Sequence, residues 1–481
     1  MHFRAIQRII GVLLMLFSLT MLPPAAVAWI YDENMVHVFM VGFLTTLITG
    51  VLLWLLVRGS GDELKLRDGF MVVVLFWVVL GIFGALPFVL AKDLDIVDAV
   101  FESMSGLTTT GATVIVGLDD LPHALLYYRQ QLQWLGGMGI IVLAVAILPM
   151  LGIGGMQLYR AETPGPMKDT KLTPRITETA KALWYIYLSM TVLCAGFYWL
   201  AGMSVFDAIG HSFSTVAIGG FSTHDQSMAY FDSHFIEAVA MVFMLLSGIN
   251  FALHFLAWRS LSIRPYINDP EFRVYISILG IISLLTIAYL YLTGMYSSLE
   301  QAAFRGLFQA ISIGTTAGFT TAEYHHWPTF LPILLLLGSF IGGCAGSTGG
   351  GMKVIRVWLL IKQGIREIRR LIHPNAIFPI KIGNKPLSSR VVGSVWGFFS
   401  LYVVCFCVMG LTLTGTGLDL VTAFSAVAAC LNNLGPGLGS VGANYAGVND
   451  AAKWVLCVAM LLGRLEIFTL LVLLIPEYWR R

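Results

Sequence analysis

The stretch GLTTTGAT at residues 106–113 recurs in altered form at three more places in the chain. Each copy contains a central glycine and ends an apolar run of about 12 residues, whereas a helix needs about 20 residues to cross the hydrocarbon core of a bilayer. A run this short in a membrane protein predicts a re-entrant segment, which enters the membrane and returns to the side it came from. The other three copies are TVAIGGFST at 215–223, IGTTAGFTT at 313–321 and LNNLGPGLG at 431–439.

The composition indicates a chain that crosses the membrane many times. Of its 481 residues, 57% are hydrophobic and 12% are charged, about half the charged fraction of an ordinary soluble domain. We therefore predict an all-α polytopic membrane protein. The apolar runs long enough to cross a bilayer predict ten spans, at residues 9–30, 37–57, 70–91, 130–152, 183–201, 234–257, 273–293, 329–361, 391–412 and 452–475.

Lysine and arginine are concentrated on alternate loops, of which the segment 362–390 is the most basic. The opposite loops carry acidic residues, including Asp119, Asp120, Asp225 and Glu323. Because basic loops stay on the cytoplasmic side, we expect both termini to lie in the cytoplasm. This arrangement is self-consistent only if each of the four short runs returns to its own side of the membrane.

The four turns also define an internal repeat. Gly111, Gly220, Gly318 and Gly435 are 109, 98 and 117 residues apart, another glycine follows each of them after 28 residues, and a small residue precedes each by six. Such repetition predicts four helix–pore loop–helix units around a central pore, preceded by a two-helix hairpin. The alternative is that membrane helices are simply rich in small residues at their contacts. The expected boundaries are 1–57 for the hairpin and 58–160, 161–262, 263–380 and 381–481 for the pore repeats.

Four glycine turns at the centre of a membrane protein suit the coordination of a cation. Backbone carbonyls that point at a common axis can replace the water around an ion, and glycine makes such backbone accessible because it tolerates positive φ. The helices before the turns would direct their partially negative C-terminal ends at the same axis. The acidic residues of the outer loops would raise the local cation concentration, although each of them also reads as an ordinary solvated loop residue.

The turns resemble the degenerate selectivity-filter turns of the Trk/Ktr/HKT cation transporter superfamily. The blocks QWLGGMGIIVL at 133–143, GGCAGSTGGGMK at 342–353 and MLLGRLEIFT at 460–469 are similar to those of its bacterial TrkH potassium-uptake branch. The resemblance covers essentially the whole chain. It implies a bacterial inner-membrane protein that transports potassium, forms a homodimer within membrane lipid, and docks a cytosolic nucleotide-binding regulatory ring of the TrkA type. It implies no enzyme activity, no bound nucleotide in this chain and no nucleic-acid partner.

The resemblance also implies which residues form the filter. Plant relatives with serine in the first turn prefer sodium, so the glycine found in all four turns of this chain favours potassium. The turns lack the TVGYG sequence of potassium channels, which implies weaker selection against sodium. The implied potassium-coordinating residues are Thr109, Thr110, Gly111, Ile218, Gly219, Gly220, Thr316, Ala317, Gly318, Asn433, Leu434 and Gly435.

The run GGCAGSTGGGMK at 342–353 interrupts an apolar span with a flexible, glycine-rich segment. It is not a nucleotide-binding P-loop, because Met352 precedes Lys353 and valine stands where the magnesium-binding Ser or Thr belongs. In the repeat register the run lies just below the filter, so we expect it to plug the pore as a gate, as in TrkH-like proteins. The alternative is a kink that only improves helix packing. The predicted gate residues are Gly346, Ser347, Thr348, Gly349, Gly350, Gly351, Lys353 and Arg464.

Arg464 is a charge within the apolar segment VLCVAMLLGRLEIFTLLVLLI. A charge at the middle of a membrane helix costs about 2.5–3.5 kcal/mol on insertion scales, so Arg464 is expected to face the pore or a polar partner. Arg464 and Ser347 both stand 29 residues after their filter glycine, which predicts that Arg464 hydrogen-bonds the loop and repels a cation there. Glu466 is a candidate counter-ion for Arg464. The alternative is a purely structural pairing between helices.

Two other functions stay open from the residues alone. One is a sodium- or proton-coupled cation symporter on the same fold. The other is a membrane-embedded hydrolase, against which the chain offers no HExxH, no GxSxG and no paired intramembrane carboxylates.

Overall fold

A computed structural model describes residues 2–58, 65–91, 94–139, 176–383 and 385–480. Within these residues the regular secondary structure is helical, apart from a two-residue antiparallel ladder that pairs Lys381–Ile382 with Lys385–Pro386. This confirms the all-α class. The α-helices are Phe3–Ser18, Leu22–Ile30, Val36–Leu55, Leu66–Gly84, Leu86–Leu90, Ile96–Leu107, His123–Trp134, Ile176–Leu200, Val205–Ala217, His234–Ser247, Phe251–Ser260, Arg264–Asn268, Pro270–Leu292, Leu299–Thr315, Phe330–Ile341, Val354–Ile372, Ser389–Gly415, Leu420–Leu431, Asp450–Arg464, Phe468–Leu471 and Pro476–Trp479.

Six helical segments of the described residues are long and apolar enough to cross a membrane, and up to eight are if two bent helix pairs each count as one span. The protein is therefore a multi-pass membrane protein, as predicted. The bends are 95° between His234–Ser247 and Phe251–Ser260, and 109° between Asp450–Arg464 and Phe468–Leu474. The six segments are Phe3–Ile30, Val36–Leu55, Arg67–Leu90, Lys181–Leu200, Pro270–Leu292 and Ser389–Gly415.

Besides the predicted spans 234–257 and 452–475, which are the two bent pairs, two more of the ten predicted spans look different in the structure. The span predicted at 329–361 consists of the helices Phe330–Ile341 and Val354–Ile372, with the non-helical residues 342–353 between them, so the predicted interruption is real and no single helix spans this range. The span predicted at 130–152 starts within His123–Trp134 and continues into a short π-helix, Leu135–Gly139. Its remainder, 140–152, lies outside the described residues.

The first two spans pack closely through glycine. A Cβ built on Gly11 would lie 2.8 Å from the carbonyl oxygen of Gly50, and one built on Gly50 would lie 2.8 Å from the carbonyl oxygen of Gly11. Small residues permit this kind of close helix approach within a membrane. The first span is interrupted by a 3₁₀ turn at Leu19–Met21, one residue before Pro23, because a proline cannot donate a backbone hydrogen bond to the preceding turn.

Four helices, which we call the turn helices, lead into the glycine turns: Ile96–Leu107, Val205–Ala217, Leu299–Thr315 and Leu420–Leu431. Each is preceded by an Asp or Ser whose side chain accepts a hydrogen bond from a backbone N–H of the first helical turn, which satisfies an otherwise unpaired donor. Three of the turn helices are 12 or 13 residues long, too short to cross the bilayer. The N-cap residues are Asp95, Ser204, Ser298 and Asp419.

Polar side chains are buried where the turn helices end, in contrast to the apolar clusters that surround them. A membrane protein keeps buried polar groups where they find partners or line a wet cavity. This region is therefore the candidate site. Its buried polar residues include Thr108, Thr109, Thr110, Gln130, Gln133, Thr315, Thr316, Asn432 and Asn433.

Candidate functional site

The four glycine turns, residues 108–113, 217–222, 315–320 and 432–437, share one backbone conformation. In each, the residue before the central glycine donates its N–H to the carbonyl at the small-residue position six before that glycine, which is the long bond of a Schellman helix ending. The four bonds are Thr110 N to Ser105 O (2.8 Å), Gly219 N to Ser214 O (2.8 Å), Ala317 N to Ser312 O (2.7 Å) and Leu434 N to Ala429 O (2.8 Å).

Left-handed backbone occurs twice in every turn, at the glycine and two residues before it. The glycines have φ of 80°, 80°, 80° and 99° in chain order. The earlier positions are not glycine, and three of them carry β-branched side chains, for which positive φ is a genuine outlier. Strained residues of this kind persist only where the surroundings hold them, and they concentrate at functional sites. They are Thr109 (φ 56°), Ile218 (φ 54°), Thr316 (φ 71°) and Asn433 (φ 52°).

The four turns close into a ring. Each central glycine lies so close to the carbonyl of the residue before the next turn's glycine that a Cβ could not be accommodated. The order is first to second, second to third, third to fourth, and fourth back to first, so all twelve residues predicted for the filter lie together. A Cβ built on Gly111 would lie 2.1 Å from Gly219 O, on Gly220 2.1 Å from Ala317 O, on Gly318 2.1 Å from Leu434 O, and on Gly435 2.7 Å from Thr110 O.

A buried ion pair holds the first two turns together. Arg129 Nε donates to the Glu102 carboxylate at 2.7 Å, and both side chains are 1% exposed or less. The same guanidinium donates to the carbonyl of Ser222 in the second turn (3.1 Å) and to the Thr113 hydroxyl in the first (3.0 Å). Gln133 adds two bonds to the second turn. Its side-chain amide donates to Gly219 O at 2.6 Å, and its side-chain carbonyl oxygen accepts the N–H of Phe221 at 3.1 Å. These bonds rigidify the backbone of the turns.

Bonds between neighbouring units continue around the ring. Arg305 on the third turn helix donates to Glu237 at 2.8 Å and to the Thr321 carbonyl at 2.9 Å, and Lys453 forms an ion pair with Asp98 on the first turn helix. The Asn433 amide of the fourth turn donates to the Thr110 hydroxyl of the first at 3.0 Å. The sequence did not predict these contacts. For Arg305 and Asp98 the available signal was a charged residue on a short, otherwise apolar helix.

Residues 342–353, which we call the glycine loop, have the irregular backbone that their composition predicts. Gly342, Gly346, Gly351 and Lys353 all have positive φ, between 68° and 75°. The loop is tied to the bend of a neighbouring span, where Cys344 N–H donates to Gly248 O at 2.8 Å and the Gly346 carbonyl accepts from Phe251 N–H at 3.0 Å. The Ser347 hydroxyl donates to the Cys344 carbonyl at 2.6 Å within the loop.

The glycine loop contacts three of the four turn regions. Thr348 donates its hydroxyl to Val216 O at 3.0 Å, at the end of the second turn helix. Gly350 N–H donates to the Thr316 hydroxyl of the third turn at 2.7 Å, and Gly351 N–H donates to Asn432 O of the fourth at 3.0 Å. At Gly349, an added Cβ would lie 2.9 Å from Thr315 O. The structure thus brings the predicted gate loop against the turns.

Arg464 connects the loop to the first turn. Its guanidinium donates to the loop carbonyl of Thr348 at 3.4 Å and to the Thr109 hydroxyl at 3.3 Å, and its other nitrogen donates to the carbonyls of Gly136 and Gly137. The predicted contact between Arg464 and the loop is therefore present. Lys353, the last predicted gate residue, folds back so that its ammonium donates to the loop carbonyl of Gly349.

One predicted pairing was wrong, and one important residue was missed. Glu466, expected to act as the counter-ion of Arg464, forms its ion pair with Arg356, because the 109° bend that follows Arg464 turns the chain towards the helix Val354–Ile372. The missed residue is Glu271, whose carboxylate accepts the N–H of Ala345 at 2.8 Å and of Ile355 at 3.2 Å. A single acid therefore joins the glycine loop to the first turn of the helix that follows it.

The arrangement brings backbone carbonyls of the four turns together, and carbonyl oxygens are groups that can replace the water around a cation. Comparison with known proteins agrees. The sequence pattern of the TrkH family, described as "Cation transport protein", matches residues 35–481. The chain is 61% identical to the Trk system potassium uptake protein TrkH of Vibrio parahaemolyticus and 56% identical to that of Escherichia coli, in both cases over the full length of both chains.

A solved structure has the same fold. The crystal structure of the potassium transporter TrkH from Vibrio parahaemolyticus matches with a TM-score of 0.91 and 58% sequence identity, over 100% of each chain. A second Escherichia coli protein, the Trk system potassium uptake protein TrkG, is 44% identical over 100% of this chain and 99% of its own. The chain therefore belongs to the TrkH family of cation transport proteins, which are transporters and not enzymes.

Proposed function

We propose that this protein takes up potassium across the bacterial inner membrane through the ring of four glycine turns. The observation that carries the proposal is the closure of that ring, in which every turn abuts the next and the fourth abuts the first. The named relatives are potassium uptake proteins, which supports potassium as the cargo and does not favour the sodium- or proton-coupled symporter.

The filter works by replacing the hydration shell of the ion with backbone carbonyls. The coordinating groups are the carbonyls of the residues at and before the central glycines, whose repeated left-handed backbone gives the four turns equivalent geometry. The turn helices end at the ring, so their C-terminal partial negative charges favour a cation there. The bonds made by Arg129 and Gln133 hold the carbonyls at a fixed spacing, which an ion of the wrong size cannot match without strain.

The gate is the glycine loop together with Arg464 and Lys353. The loop lies against the second, third and fourth turns and Arg464 against the first, so the pair extends under the whole ring. Two positive charges beside this backbone repel a cation that leaves the filter. Loop backbone that lacks helical hydrogen bonds is held by partners that water can replace, so the loop can move aside without breaking a helix.

The same proposal covers the organisation and the partners of the chain. Residues 58–160, 161–262, 263–380 and 381–481 form the four pore repeats after the hairpin 1–57, and both termini lie in the cytoplasm. The chain acts as a homodimer, binds no nucleotide itself, and receives regulation from a cytosolic nucleotide-binding ring. The basic segment 362–390 is the surface that this ring contacts.

Reconstituted flux tests the proposal. The purified protein is placed in liposomes, and uptake of potassium, rubidium and sodium is followed at a set membrane potential, which supplies about 2.3 kcal/mol per charge for each 100 mV. We expect the uptake of potassium and of rubidium to be faster than that of sodium, and to need no proton or sodium gradient. Uptake that requires such a gradient would instead support the symporter, and absence of any cation flux would refute the proposal.

A further inference from the structure

Three metal-ligating side chains converge beside the third and fourth turns. Glu323, His325 and His326 follow the third turn directly in sequence, and one potential ligand atom from each lies within 4.8 Å of the others. His326 Nδ1 and the Glu323 carboxylate are already hydrogen-bonded at 3.1 Å. Among the described residues, this is the one group of at least three His, Cys, Asp or Glu side chains whose potential ligand atoms lie this close together.

The donor set and its spacing match one class of ion. Two imidazole nitrogens and a carboxylate oxygen are the ligands of zinc and its neighbours, at bond lengths of about 2.0–2.2 Å. Tetrahedral ligands at those lengths are about 3.4 Å apart, so modest rotations of exposed side chains bring the three atoms into position. Calcium and magnesium prefer oxygen ligands alone, and potassium does not select imidazole.

His325 is held in place by its packing. Its ring lies against Gly442, where an added Cβ would lie 2.9 Å from the ring carbon Cγ. The ring is half-buried, and one of its nitrogens lies within 4.8 Å of the potential ligand atoms of Glu323 and His326. The position of this ligand is therefore set by the fold, whereas the other two side chains are exposed.

We propose that Glu323, His325 and His326 bind one zinc-class divalent ion and that this binding inhibits cation uptake from the outer side. The second half of this proposal rests on the proposed function and its topology, whereas the first half does not. A water molecule completes the coordination, as it does in zinc sites with three protein ligands.

The link to the pore runs through Tyr324, which lies between the ligands in sequence. Its hydroxyl hydrogen-bonds the carbonyls of Pro436 (3.2 Å) and Gly437 (3.1 Å), the residues that follow the central glycine of the fourth turn. Tyr324 is buried, unlike Glu323 and His326. Metal binding rigidifies the segment that supports this turn and adds a double positive charge beside the approach of an incoming cation.

Zinc titration of the purified full-length protein tests the site itself. Isothermal calorimetry in buffer with excess magnesium should give one zinc ion per chain. We expect each of three variants to bind zinc at least about tenfold more weakly: His325→Ala, His326→Ala and Glu323→Gln. Loss of a residue that only supports a metal ligand already weakens metal binding about tenfold or more, and loss of a ligand should weaken it at least as much. The matched control is His234→Ala, since His234 also faces a carboxylate three residues on, that of Glu237 at 3.6 Å, and is 59% exposed.

Unchanged zinc affinity in both His325→Ala and His326→Ala would overturn the site. Flux in proteoliposomes then tests the inhibition, with zinc added outside to the parent protein and to His326→Ala, which lies outside the proposed filter and gate. We expect zinc to lower rubidium uptake several-fold in the parent and in His234→Ala but not in His326→Ala. Equal uptake with and without zinc in the parent would overturn the inhibition, while absence of uptake in every sample would refute the transport function and leave zinc binding standing.

Discussion

Replacement of the first filter glycine should reduce selectivity by displacing a carbonyl of the neighbouring turn. In Gly111→Ser the new Cβ would lie 2.1 Å from Gly219 O, against an ordinary carbon–oxygen contact of about 3.3 Å, so one of the two turns must move by about 1.2 Å. Overpacking of this kind costs about 1–3 kcal/mol. The positive φ of 80° adds about 1–2 kcal/mol for any residue with a side chain.

Gly117→Ser separates these two costs. Gly117 has φ 79°, and an added Cβ there meets nothing within 4 Å, so this variant carries the backbone strain without the clash. If about 1.4 kcal/mol of the clash is relieved at the expense of potassium coordination, discrimination between potassium and sodium falls about tenfold in Gly111→Ser. Gly117→Ser should keep the parent ratio.

The assay is competitive uptake of potassium and sodium by proteoliposomes at equal protein content, with thermal stability measured in parallel. Both variants should lose stability, and Gly111→Ser should lose more. An unchanged potassium-to-sodium ratio in a folded Gly111→Ser protein would show that this turn does not belong to the filter. An equal loss of selectivity in both variants would attribute the effect to backbone strain and refute the reasoning from the ring.

Three further predictions concern the gate and the topology. Deleting glycines from 342–351 and substituting Arg464→Ala should each raise basal flux. The combined variant should raise flux by less than the product of the two single effects, because the loop and the arginine share contacts. An increase equal to that product would show that the loop and the arginine act independently. Glu271→Ala should raise basal flux more than Glu271→Gln, since it leaves the N–H groups of Ala345 and Ile355 without an acceptor, at about 1–3 kcal/mol each. Equal effects of the two variants would instead assign the role of Glu271 to its charge. A cysteine at Asp225 should react with an impermeant reagent from outside and one at Arg366 should not; outside labelling at position 366 would invert the topology.

The sequence alone established most of the local features. The four turns, the interruption at 342–353 and the short turn helices follow from glycine content and apolar run length, which act within a few residues along the chain. The low charge content predicted the multi-pass membrane protein, and the quoted motifs together predicted the family. The prediction of Arg464 near the glycine loop also succeeded, because the repeat register relates positions that are distant in the chain.

Only the tertiary structure decided which groups meet. Three contacts depend on how helices from different parts of the chain are placed. Gly111 abuts Gly219, Gly435 abuts Thr110, and Glu271 accepts hydrogen bonds from the glycine loop and from the helix that follows it. The pairing of Glu466 with Arg356 shows the same limit, since nearness in sequence favoured Arg464 and a 109° bend placed the carboxylate elsewhere. Hydropathy and glycine act locally on the backbone, whereas hydrogen bonds and ion pairs require atoms within about 3–4 Å, a condition that only the packed helices satisfy.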